Sequence, residues 1–137
     1  MIRPIVKDIL TLNRKSAPAG REDLDTARDL LDTLCAHLDH CAGMAANMIG
    51  VNKRIIAVSL NGFPIVMLNP VIIRSSAETY EAEEGCLSLS GIRKAVRHRS
   101  VEVEFQDMEL RSHRQTYTGF TAQAIQHELD HCEGILI

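Results

Sequence analysis

Gln126-His127-Glu128-Leu129-Asp130-His131 is the stretch on which the reading of this chain turns. On a helix, two histidines four residues apart project from one side and can share a metal ion. A glutamate directly after the first can reach a water beside that ion. Such sites take a third protein ligand. Only Cys132 to Ile137 follow, and Glu133 falls on another face of the helix. The third ligand is therefore expected upstream, where Cys86, Cys35, Cys41, His37, His40, His98 and His113 are the candidates.

Working outward, the motif lies on a helix read from about Thr121 to Glu133, with Gly134 placed as its C-terminal cap. Before it, Val101, Val103 and Phe105 alternate with Glu102, Glu104 and Gln106, the pattern of a half-buried strand. Gln115 to Thr118 is expected to pair back on it. Apolar runs from Arg54 to Leu60 and from Phe63 to Leu68 flank Asn61-Gly62, a strong hairpin signal, and a further strand is read over Val71 to Arg74. Leu24, Ala27, Leu30, Leu31, Leu34 and Leu38 recur at three and four, so an amphipathic helix is expected from about Glu22 to Leu38. Residues 1–20 read as irregular. The predicted fold class is α+β: antiparallel β-sheets packed around a C-terminal metal-binding helix, with an N-terminal amphipathic helix, in one domain over residues 1–137.

The composition sets bounds. With 137 residues, 45% hydrophobic and 24% charged, the chain is long enough for a modest core of ordinary globular type. Net charge is -3 with a pI near 6.0, so no basic footprint for nucleic acid is present and no specific nucleic acid is expected. No apolar run approaches the roughly 20 residues of a membrane span. The start, Met1 to Asp8, lacks a signal-peptide layout, so a cytoplasmic location is expected. None of the four cysteines forms a Cys-x-x-Cys pair, and no disulfide is expected.

The ligand candidates carry unequal weight. His37, His40 and Cys41 sit at the ragged end of the first helix, where histidines suit the helix dipole. His98 lies in the basic run Arg93 to Arg99, read as a solvated strand face, and His113 in a turn between Leu110 and Thr116. Asp130 is read as a solvated helix residue. Cys86 stands out for its setting, Glu84-Gly85-Cys86-Leu87-Ser88.

Those five residues, together with Gln126 to His131 and the small-residue segment Gly43-Met44-Ala45-Ala46, resemble the three motifs of the peptide deformylases, in the family's order. The resemblance implies a metal-dependent amidase that removes the formyl group from the N-terminal formyl-methionine of nascent polypeptides, with transient proximity to the ribosome. It implies Cys86, His127 and His131 as ligands of one divalent ion, Fe2+ in the cell, with Zn2+, Ni2+ or Co2+ able to replace it. Glu128 would move the proton, and the backbone N–H of Leu87 would meet the charge on the formyl oxygen. Gly43, Met44, Met48, Gly85, Phe120 and Ala124 are expected to bind substrate, with Gln123 making the pocket more polar.

The chain departs from the family pattern where it matters. Met48 occupies the place of the glutamine that ends the first motif, and a thioether cannot donate a hydrogen bond. Weakened turnover is expected. The alternative is a catalytically silent relative that holds a metal and binds N-terminal peptides. Asn47 is the neighbouring amide that could substitute. Cys41 stands in place of the motif's first glycine, and Ser90 near a common proline.

Overall fold

The computed structural model describes all 137 residues. A five-stranded antiparallel sheet runs in the order β1 (Gly43–Ala45), β2 (Ile55–Leu60), β3 (Phe63–Ser75), β6 (Ser100–Gln106) and β7 (Ser112–Thr118). A separate hairpin pairs β4 (Thr79–Gly85) with β5 (Ile92–His98). The helices are one turn at α1 (Ile9–Leu12), then α2 (Leu24–Cys35) and α3 (Gly119–Cys132). No helix is long and apolar enough to cross a membrane.

At β2 both faces of the sheet are covered, which explains why that strand begins with an unbroken apolar run. Ile55 and Ala57 point to the side packed by Ala27, Leu30 and Leu34 of α2. Ile56 and Val58 point to the side packed by Ala122, Ile125 and Leu129 of α3. Each fully buried aliphatic side chain of this kind contributes about 1.5–3 kcal/mol. The β2–β3 turn matches its sequence signal: Asn61 and Gly62 hold φ of 53° and 89°, as a type I′ turn requires.

Several expectations are corrected. Residues 1–20 include the turn α1, because the Asp8 carboxylate accepts from the Leu10 N–H at 3.1 Å and caps it. The first long helix ends at Cys35, and His37 N–H bonds back only three residues, to Leu34. The strand read over Val71 to Arg74 is continuous with the one before it. At their join Asn69 adopts φ 52° and the register with β6 shifts, while the Asn69 side chain bonds both backbone groups of Ala19. The acidic stretch before Cys86 is strand β4. His113 lies on β7 and touches Asp107 at 2.6 Å. The basic run is strand β5, yet Arg97 within it is only 4% exposed.

Candidate active site

A cleft of about 410 Å³ opens between β4, the entry to β1 and the N-terminal half of α3. Its inner end holds Cys86, His127 and Glu128. One-turn spacing puts His127 and His131 on one side of α3, and the bend after β4 carries Cys86 up to them. His131 Nε2 lies 3.5 Å from Cys86 Sγ and 3.2 Å from His127 Nε2, and the three ligand atoms lie within 4.8 Å of one another.

These separations fit a shared cation. Bond lengths of about 2.0–2.1 Å to nitrogen and 2.3 Å to sulfur, at tetrahedral angles, put ligands about 3.3–3.6 Å apart. The charge balance agrees. Burial opposes a proton on His127, but the Cys86 sulfur, the Glu128 charge and Glu84 outweigh it and lift its pKa to about 9. Burial, with His127 and Arg97 nearby, pushes His131 down to about 3. The cluster thus holds positive charge at neutral pH and keeps one imidazole in its neutral, ligating form. Glu128 Oε1 and His131 Nδ1 are buried with no hydrogen-bond partner in the chain, and buried polar atoms of this kind point to a bound group.

His127 is oriented from behind. Its Nδ1–H donates to Glu84 Oε1 at 2.8 Å, which fixes the ring with Nε2 facing the cluster, where loss of its proton to a cation frees a lone pair for ligation. Glu84 is held in turn by Arg97, whose guanidinium donates to both carboxylate oxygens at 2.9 and 2.6 Å and reaches Asp130 at 2.7 Å. Burial alone would raise the Glu84 pKa, but these bonds win and lower it. Asp130 is therefore tied down, not merely solvated. Glu84→Gln is expected to lower metal affinity about 10- to 100-fold, read by competition with a chromogenic chelator; unchanged affinity would show that the orientation of His127 does not depend on this carboxylate.

Glu128 is enclosed. Burial raises its pKa to about 7. Gly43 makes room for it: a Cβ there would meet Glu128 Oε2 at 3.0 Å, its Cγ at 3.1 Å and the Ala57 carbonyl oxygen at 3.2 Å. Gly43→Ala should displace the carboxylate by a few tenths of an ångström. We expect kcat to fall about tenfold with little change in KM, and parallel losses in both would place the glycine's role in substrate binding.

Gly43, Met48, Gly85, Leu87, Phe120 and Ala124 line the cleft. Met44 does not: its side chain is fully buried in the core behind, because β1 turns it toward α2. The Leu87 N–H makes no hydrogen bond within the chain and remains free. Met48 is 1% exposed, and its sulfur accepts from the Ala45 N–H at 3.5 Å. Asn47 does not take its place; its amide donates to the His131 carbonyl at 3.0 Å and so braces α3. His37, His98 and His113 lie outside the cluster, with their rings bonded to Thr33, Ser76 and Asp107. His40 and Cys41 stand along the cleft wall. The sequence places Glu84 in the motif around Cys86 and Arg97 in a basic run but gives neither a role, although Tyr80, Ala82 and Glu84 sit in phase on the inward side of β4.

A thiol, two imidazoles and a carboxylate gathered at the closed end of a cleft define the class as a metal-dependent hydrolase. The comparisons narrow it. A family model described as polypeptide deformylase matches residues 2–137. The peptide deformylase of Clostridium beijerinckii is 51% identical over 137 residues, the whole of both chains. That of Dictyoglomus thermophilum is 35% identical over 138 residues, covering 99% of this chain and 88% of its own. A class I type b peptide deformylase from Acinetobacter baumannii, solved with Met-Ala-Ser bound, superposes with TM-score 0.89 at 28% identity, covering 99% of this chain and 97% of that one. The chain belongs to the polypeptide deformylase family.

Proposed function

We propose that this enzyme removes the formyl group from N-terminal formyl-methionine of nascent polypeptides, acting as one domain in the cytoplasm and in transient proximity to the ribosome. The observation that carries the reading is the Cys86–His127–His131 cluster with the unpartnered Glu128 oxygen beside it. Cys86, His127 and His131 would hold one divalent ion, Fe2+ in the cell; Zn2+, Ni2+ or Co2+ suit the same donors. When bound, such an ion supplies Lewis acidity that brings the pKa of a water toward neutrality.

The chain's own groups do the rest. Glu128 takes the proton at its free Oε1 and returns it to the departing amine. A pKa near 7 makes both transfers accessible at neutral pH. The Leu87 N–H, which has no partner in the chain, would donate to the formyl oxygen as charge builds there. The peptide backbone has two places to bind. β1 is the terminal strand of its sheet and β4 belongs to a two-stranded one, so both present unpaired edges beside the cleft. An extended peptide laid between them satisfies those backbone groups. The Acinetobacter baumannii relative holding Met-Ala-Ser supports a substrate of this length and kind. Gly43, Gly85, Met48, Phe120 and Ala124 would contact it, and no observation favours the silent alternative.

The test is formate release from formyl-Met-Ala-Ser by anaerobically purified, iron- or nickel-loaded protein. Metal-dependent release supports the reading. Tight metal binding without release under any loading would overturn it.

A further inference from the structure

We propose that Gln123 is a specificity-determining residue, so that the enzyme accepts formyl peptides whose first side chain carries a hydrogen-bond acceptor, oxidised methionine included. This rests on the deformylase reading. Gln123 lies one helical turn before His127 and lines the same cleft, with Phe120 and Ala124 beside it. At about 1.5 Å of rise per residue, that turn places it roughly 6 Å along α3 from His127. A substrate whose scissile amide reaches the cluster therefore lays its first side chain against this wall.

One end of the Gln123 amide is engaged. The Tyr80 hydroxyl donates to Gln123 Oε1 at 3.0 Å. Tyr80 is fixed in turn, with the Arg99 guanidinium 5.0 Å above its ring. With the oxygen engaged, no group of the chain takes the Nε2 hydrogens, and Gln123 lines the cleft. A wall built only for hydrocarbon has no use for a clamped amide. One that donates favours an acceptor, weakly for a thioether and strongly for a sulfoxide oxygen. Tyr80 touches no substrate here and is a positioning residue.

The experiment compares formyl-Met-Ala-Ser, its methionine-sulfoxide form and its norleucine form on the wild type, Gln123→Leu, Gln123→Glu and Tyr80→Phe. Glutamate keeps the Tyr80 bond and the length but loses the donor. The sulfoxide-to-norleucine ratio of kcat/KM should fall about 3- to 10-fold in the leucine and glutamate variants, and less in Tyr80→Phe. A ratio unchanged by both Gln123 substitutions overturns the proposal. Binding of the unformylated Met-Ala-Ser, its sulfoxide and its norleucine form, read by calorimetry, reports the same ratio without turnover. Failure to release formate from any peptide would thus count against the deformylase reading alone, while the binding ratio still decides the role of Gln123.

Discussion

Glu128→Gln is expected to lower kcat/KM by about 10²–10⁴-fold while metal content stays unchanged. Glutamine keeps the shape of the side chain and cannot accept the proton. The carboxylate sits 4% exposed with one oxygen unpartnered and so able to accept it. The same substitution should stabilise the metal-free protein, because it removes a buried ionisable group. The sign is set by the raised pKa. Below about pH 4.5 the carboxyl is protonated both folded and unfolded, so the acid and the amide are equivalent there. Between 4.5 and about 7 the folded state keeps a proton that the unfolded chain has lost, and stability falls as pH rises. The advantage of Glu128→Gln is thus absent below about pH 4.5 and full above about 7, where the amide gains up to roughly 3 kcal/mol. Part is returned because His127 loses one of the charges that hold its proton. Thermal unfolding of both proteins at about pH 5 and pH 8 measures it. Full activity in the variant would remove Glu128 from the mechanism.

Met48→Gln is expected to raise kcat about 10²–10³-fold with little change in KM. The position lines the cleft, and the thioether there already accepts the Ala45 N–H at 3.5 Å. A glutamine oxygen can take over that bond and leave the amide N–H₂ to donate toward the formyl oxygen. The gain appears in kcat because the charge it meets exists only in the transition state. Steady-state kinetics on formyl-Met-Ala-Ser decides the matter. Equal rates would mean that the wild type already draws a second donor from elsewhere, with the Leu87 N–H as the first.

Much of this was open to reading in the sequence, for identifiable reasons. The spacing of His127 and His131 is a local property of helices, and the Asn61-Gly62 turn a local property of two residues. The alternation in β6 reports directly on one wet face. The rest depends on contacts distant in the chain. Nothing near Arg97 distinguishes it from its basic neighbours; its burial comes from Glu84 and Asp130, 13 and 33 residues away. Met44 sits in a small-residue segment that borders the cleft, and only the pairing of β1 with β2 decides that it faces the core. Asn47 is engaged by a carbonyl 84 residues further on. That β4 and β5 pair only with each other, apart from the larger sheet, also escapes periodicity, because alternation does not say which strands are neighbours.

That detached hairpin has a consequence for how such an enzyme can change over time. No backbone ladder joins β4 and β5 to the larger sheet. Beyond the backbone bonds of Ser76 to Ser100 and Arg99 to Glu78 at its open end, side chains tie it to α3: Glu84 to His127, Arg97 to Asp130, Tyr80 to Gln123, and Gln126 to the His98 backbone. One wall of the cleft is therefore positioned by a handful of individually replaceable ties, while the opposite wall belongs to the sheet. Of these ties, the one from Tyr80 to Gln123 lies away from the ligand set, so a substitution there can alter the lining of the groove and leave the metal ligands and the sheet in place. The lining of the mouth is thus separable from the fold that carries it.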